Sequence, residues 1–201
     1  PPRSTLFPYT TLFRSMGTPE KHKRIKKNND GSYTLNVDLK GAASTTTVTT
    51  TQPIDFTLVL DVSGSMDKEM GNGDTTQKLK ALQTAVKSFL DGAATANKGA
   101  QSGSEPVHVG LVKFAGKKSG NVGNDMYNDM YWGQYNYSQV VSTLTGNMST
   151  LKGVVDGLQS GGATQADYGF EYASDVMKNA RPGAKKVVIF FADGSPTSSS
   201  G

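Results

Sequence analysis

The run Ile54-Asp55-Phe56-Thr57-Leu58-Val59-Leu60 leads straight into Asp61-Val62-Ser63-Gly64-Ser65-Met66, and these two pieces decide how the chain folds. The first is apolar except at Asp55 and Thr57, the mark of a strand covered on both faces. The second places a carboxylate, two hydroxyls and a glycine in the loop that leaves the strand. Downstream, Thr75–Leu90 carries Leu79, Leu82, Val86, Phe89 and Leu90 at helical spacing. Val107–Phe114 reads as a second strand, opened by Pro106, and a third is predicted around Tyr137–Leu144. Met148–Leu158 reads as a helix with Asn147 as its N-cap, and Ala166–Asn179 as another, stopped by Arg181-Pro182-Gly183. Val187–Ala192 is the most apolar strand of the chain. Strands alternating with helices predict an α/β fold, a doubly wound, mainly parallel sheet flanked by helices. In such sheets the ligand loops lie at the carboxyl ends of the strands.

Three loops at those ends carry oxygen ligands. They are Asp61-x-Ser63-x-Ser65, Gly161-Gly162-Ala163-Thr164 just before a helix, and Asp193-Gly194-Ser195-Pro196-Thr197 after the last strand. Asp61, Asp193, Ser63, Ser65 and Thr164 form a set of hard oxygens with no nitrogen or sulfur. Such a set suits Mg²⁺ or Mn²⁺ rather than zinc. Asp61 and Asp193 end two strands that the doubly wound order makes neighbours, and Gly64 and Gly161–Gly162 permit tight turns. Local capping is the competing account: Asp61 and Ser63 would cap a helix start, and Thr164 would be the N-cap of Ala166–Asn179.

The ordered set Asp61, Ser63, Ser65, Thr164 and Asp193 resembles the metal-ion-dependent adhesion site of von Willebrand factor type A domains. The flanking stretches DFTLVLDVSGSM, GGATQADYGFEYA and KKVVIFFADGSPT are similar to the family as well. They are most similar to the A domains of Gram-positive surface adhesins and pilus tip proteins, over about Pro53 to Gly201. The resemblance implies that Ser63, Ser65 and Thr164 coordinate Mg²⁺ directly or nearly so, with Mn²⁺ as the second choice and Ca²⁺ as a third. Asp61 and Asp193 would reach the ion directly or through water. It further implies a non-enzymatic adhesion module, extracellular and attached to a cell wall or pilus. Its partner would be a protein of the host matrix or another surface protein that offers an acidic side chain. A pilus scaffold module with a fold-stabilising metal is the alternative, and a metal-dependent phosphohydrolase is a weaker one, because Ser63 stands where an aspartyl phosphatase needs its second acid.

Two departures from the family accompany the match. The chain stops soon after the fourth core strand, so the A domain is expected to be incomplete at its C-terminus. Val187–Ala192 would then be an exposed edge prone to self-association. The loop Ala115–Gln134 is long and holds the tandem Asn124-Asp125-Met126-Tyr127 and Asn128-Asp129-Met130-Tyr131, then Trp132. It reads either as a contact surface beside the site or as a hairpin tip packed on its own tyrosines.

The rest of the composition narrows the function classes. The 201 residues contain no cysteine, which excludes a thiol nucleophile and any cysteine-based metal site, and only His22 and His108 supply imidazoles. No apolar run nears the ~20 residues of a bilayer helix, so membrane insertion is not expected. The net charge of +4 is concentrated in residues 1–27, while residues 28–201 hold 14 basic and 16 acidic residues. A nucleic-acid partner is therefore not expected, and the basic run reads as the solvated edge of a strand. Residues 1–15 resemble a translated sequencing adapter and are set aside as an artefact. Residues 16–51 read as a β segment with a Thr-rich linker or edge strand, part of a stalk domain. There Tyr33–Leu39 alternates with period two but has no partner strand before it. Residues 52–201 form the A-like domain.

Overall fold

The computed structural model describes residues 21–39, 46–50, 52–100 and 104–194, and the chain divides into two units between Thr51 and Gln52. The first unit is a three-stranded antiparallel sheet of β1 (Lys21–Lys27), β2 (Tyr33–Leu39) and β3 (Thr46–Thr50), in that order. The period-two strand thus occupies its expected bounds, but the reading that it lacks a preceding partner is corrected. The basic stretch is itself a strand, paired from Lys21↔Leu39 to Lys27↔Tyr33. The hairpin closes because Asp30 Oδ1 accepts from both the Ser32 N–H (2.9 Å) and the Ser32 hydroxyl (2.7 Å). The adapter-like residues 1–15 lie outside the described residues.

The second unit contains β4 (Ile54–Asp61), β5 (Glu69–Gly71), β6 (Asp74–Gln77), α1 (Lys78–Lys98), β7 (Val107–Phe114), β8 (Met126–Asp129), β9 (Gly133–Asn136), β10 (Gln139–Thr145), α2 (Met148–Asp156), α3 (Ala166–Lys178) and β11 (Lys185–Phe191). Its main sheet has the order β10-β7-β4-β11, with β7, β4 and β11 parallel and β10 antiparallel. This is the expected α/β architecture. Alternate residues of β4 serve opposite faces. Leu58 and Leu60 pack with Leu79, Leu82, Val86, Leu90, Leu151 and Val155 of α1 and α2. Val59 packs with Val112, Phe114, Ala173 and Val176 on the α3 side. Each such side chain contributes roughly 1.5–3 kcal/mol by leaving water. Asp55 breaks the apolar run because it is fully buried against Arg181, accepting from its backbone N–H (2.7 Å) and its Nε (2.8 Å).

Asn147 caps α2 as expected, its Oδ1 accepting the Thr150 N–H at 3.1 Å. The first helix differs from its expected span. Residues 74–77 form β6 instead, turned back on β5 through Asn72 and Gly73, both at positive φ. The helix then starts at Lys78 and runs beyond Leu90 through an Ala-rich stretch to Lys98, with Ala93 still buried.

On the other face, α3 approaches the sheet closely at Gly169. A Cβ there would lie 2.9 Å from Val59 Cγ1, 3.1 Å from Phe114 Cδ1 and 3.2 Å from Phe190 Cε2. Gly169→Leu is expected to overpack this contact and lower stability by about 2 kcal/mol, read as a shift in the denaturant midpoint at unchanged m-value.

Candidate functional site

β4 and β11 run side by side in register, from Ile54↔Lys185 to Leu60↔Phe191, so their carboxyl ends meet. Asp61 ends β4, and Asp193 follows β11 by two residues. As the chain leaves β4, Asp61 Oδ1 accepts the Ser63 N–H at 2.9 Å and folds the loop back. A short 3₁₀ turn, Gly64–Asp67, follows. Ser63 stands at its N-cap position, but its side chain makes no capping bond. Instead the Ser63 and Ser65 hydroxyls lie 3.0 Å apart, and Ser65 Oγ donates to Asp193 Oδ1 at 2.9 Å. Asp61, Ser63, Ser65 and Asp193 are therefore one connected set drawn from two loops.

Thr164 reaches this end of the sheet through its own loop, in which it is buried. The Gly161 N–H donates to Val62 O and the Gly64 N–H to Gly162 O, both at 2.9 Å, so backbone bonds lace the two loops together. Gly161 and Gly162 have φ of 152° and 115°. A Cβ at Gly161 would stand 2.8 Å from Gln134 O, so close approach and conformation both demand glycine there. Capping does not account for these side chains. Gln165, not Thr164, holds the N-cap position of α3, and it makes no side-chain cap bond.

The charges are unevenly satisfied. Asp61 Oδ2 is buried without a hydrogen-bond partner. Burial pushes the Asp61 carboxyl above its ordinary range, against the hydrogen bonds from Ser63, and the charge of Asp193 adds to the rise. Burial acts on Asp193 in the same sense, but the hydrogen bonds from Lys78 and Ser65 and the Lys78 charge outweigh it, holding that carboxyl below the usual range. Lys78 Nζ lies 2.7 Å from Asp193 Oδ2. An orphaned buried carboxylate oxygen, a second carboxylate and adjacent hydroxyls are donors that fit a hard divalent cation. Among the described residues no group of three His, Asp or Glu gathers for a metal.

Three residues at this end were not identified from sequence: Lys78, Asn136 and Lys113. The buried Asn136 Nδ2 donates to Val62 O (3.2 Å), Gln159 O (2.9 Å) and Gly161 O (3.1 Å), clamping the Asp61–Ser65 loop to the Gly161–Thr164 loop. Its Oδ1 accepts from Lys113 Nζ at 3.1 Å. Lys113 is completely buried and also donates to Asn124 Oδ1 (2.7 Å) and Asp125 O (2.8 Å). A lysine inside the apolar strand Val107–Phe114 was the available signal, since a buried ammonium must find acceptors.

Burial lowers the Lys113 pKa from 10.5 to about 8, although the nearby Asp125 charge opposes the shift. Between those values the unfolded chain holds the extra proton, so stability rises with pH. Relative to Lys113→Met, the parent is expected to gain roughly 2–3 kcal/mol between about pH 8 and 10.5, read by urea unfolding at each pH.

The long loop holds a hairpin, β8 and β9, whose rings pack on one another: Tyr127 lies 5.8 Å from Tyr135 and 4.6 Å from Tyr137. Its tip is nonetheless open, with Met130, Tyr131 and Trp132 exposed by 88%, 83% and 75%. The expected hairpin is present, but the tyrosines that pack lie along it and just after it, while the tip itself stays exposed. Its return strand lies against the site, with Gln134 O facing Gly161 and the Tyr135 ring facing Gly162.

The family model for the von Willebrand factor type A domain matches residues 55–200, and the chain belongs to that family. The vWF domain of the type V pili tip protein Mfa5 from Porphyromonas gingivalis is similar, with TM-score 0.53 and 19% identity over 75% of this chain and 40% of that one. The pilus adhesin SpaC from Lactobacillus rhamnosus GG, in an open conformation, has TM-score 0.51 and 26% identity over 88% of this chain and 19% of its own. The pilus adhesin RrgA from Streptococcus pneumoniae has TM-score 0.52 and 21% identity over 89% and 25%. The chain thus spans well under half of each of these structures. None of the curated proteins matches it. Among the described residues, no helix is long and apolar enough to cross a membrane.

Proposed function

We propose that this chain is a non-enzymatic, metal-dependent adhesion module of a bacterial surface or pilus protein, acting outside the cell. The observation that carries this reading is the buried, unpartnered Asp61 Oδ2 set beside the hydrogen-bonded Ser63, Ser65 and Asp193. Ser63, Ser65, Thr164, Asp61 and Asp193 would hold Mg²⁺ or Mn²⁺, or Ca²⁺ less readily. When bound, the cation supplies a Lewis-acidic position for an acidic oxygen of a protein partner. Neutral hydroxyls leave the cation's charge incompletely balanced, which favours a partner's carboxylate over a neutral amide. The partner would be a protein of the host matrix or another surface protein, and the pilus neighbours support that setting.

The test compares a Glu-containing peptide with its Gln counterpart on the immobilised chain, in millimolar Mg²⁺ and in chelator. Binding of the Glu peptide alone, lost in chelator, is the expected result. Mg²⁺ binding with no preference for the carboxylate would favour the scaffold alternative, in which the metal only stabilises the fold.

A further inference from the structure

We infer that Lys78 is a resident counter-cation of this site, an ammonium that holds Asp193 in the cation-free protein and thereby raises the divalent-ion concentration at which the site fills. The inference rests on the metal-site reading above and concerns its regulation. Lys78 Nζ sits 2.7 Å from Asp193 Oδ2, while Asp193 Oδ1 takes the Ser65 hydroxyl at 2.9 Å. Both oxygens of that carboxylate are thus engaged by side chains of the protein itself. The lysine is held in place at its root. It is the first residue of α1, and its backbone N–H donates to Lys68 O at 2.9 Å, tying the helix start to the segment that follows the Ser65 turn. The pair is substantially withdrawn from solvent, with side-chain exposures of 25% and 12%, so its charges are less screened than those of a surface ion pair.

A unit positive charge within a few ångströms opposes a divalent cation at the same carboxylate. The ammonium must therefore leave Asp193, or weaken its hold, before that oxygen can serve a metal. The geometry gives it somewhere to go. Lys78 borders an open groove lined by Met66, Met70, Leu82 and Phe191, which can take the aliphatic stem while the charged end moves to water. In the cation-free state the same ammonium supplies a charge that offsets the Asp193 carboxylate. Lys78 thus couples two properties: it stabilises the empty site and weakens the filled one.

The experiment uses the 201-residue chain as parent, with Lys78→Met, Lys78→Arg and Asp61→Asn, titrated calorimetrically with Mg²⁺ alone and melted in chelator. Lys78→Met should bind Mg²⁺ about tenfold more tightly and melt a few degrees lower in chelator. Added monovalent salt should narrow the affinity gap. Lys78→Arg, which keeps the charge, should stay within about twofold of the parent. Loss of binding in Asp61→Asn with unchanged affinity in Lys78→Met overturns the role of Lys78 and leaves the metal site standing. Binding that survives Asp61→Asn, or that is missing from all four proteins, overturns the metal-site reading and this inference together.

Discussion

Asp61→Asn is expected to weaken Mg²⁺ or Mn²⁺ binding by about a hundredfold or more, while the chelated protein still unfolds cooperatively and at no lower temperature than the parent. Two arguments meet here. Asparagine keeps an Oδ1 that can accept the Ser63 N–H, the bond that shapes the loop, so the turn survives. What disappears is the negative charge whose second oxygen is buried without a partner. In the absence of metal that charge is a liability. Burial raises the Asp61 pKa, so the folded state holds a proton that the unfolded chain releases. The stability linked to Asp61 is therefore present at low pH and lost as pH rises through the raised carboxylate range, leaving a net cost at neutrality. Removing the charge relieves that cost in chelator and removes the benefit in Mg²⁺. Calorimetric titration paired with scanning calorimetry separates the two. A variant that binds within about tenfold of the parent would show that the cation is held elsewhere.

What could be read from sequence divides along physical lines. The strand Ile54–Asp61, the hydroxyl loop behind it and the cap at Asn147 were legible because each is specified by neighbours within a few residues. The short hairpin at residues 69–77 was not, because helical spacing of Leu79, Leu82 and Val86 masks where the first turn begins. β1 was read as the edge of a strand but not as the partner of β2, since a run of Lys and Arg shows no apolar alternation. Asn136 illustrates a deeper limit. Its partners Val62 and Gly161 lie 74 and 25 residues away, and nothing in Tyr135-Asn136-Tyr137 distinguishes it from the other asparagines. Long-range register, set by how the hairpin lands on the sheet, gives that side chain its task. Lys113 was readable in principle, because a charge among Leu111, Val112 and Phe114 cannot be buried without acceptors.

Asn136→Ala is expected to lower stability by about 4 kcal/mol and to weaken Mg²⁺ binding by about tenfold, although the residue carries no metal-binding role of its own. The stability loss combines a cavity, a Gln159 carbonyl that loses its 2.9 Å donor, and a fully buried Lys113 that keeps only Asn124 and Asp125 as acceptors. The affinity loss has a separate origin. One carboxamide holds both the Val62 and the Gly161 carbonyls, so its removal takes away a clamp that reinforces the two backbone bonds between the Asp61–Ser65 loop and the Gly161–Thr164 loop. Hydroxyls on loosened loops must be ordered again when a cation binds, and that entropy is subtracted from affinity. Asn124→Ala is the control. It also strips an acceptor from Lys113, but its amide donates to Gly157 O and bonds to neither of those two loops. It should therefore cost about 1 kcal/mol of stability and leave Mg²⁺ affinity unchanged. If Asn136→Ala lost stability but kept the parent's affinity, the paired Gly161–Val62 and Gly64–Gly162 bonds would be sufficient to position the hydroxyls, and the clamp would belong to the fold rather than to the site.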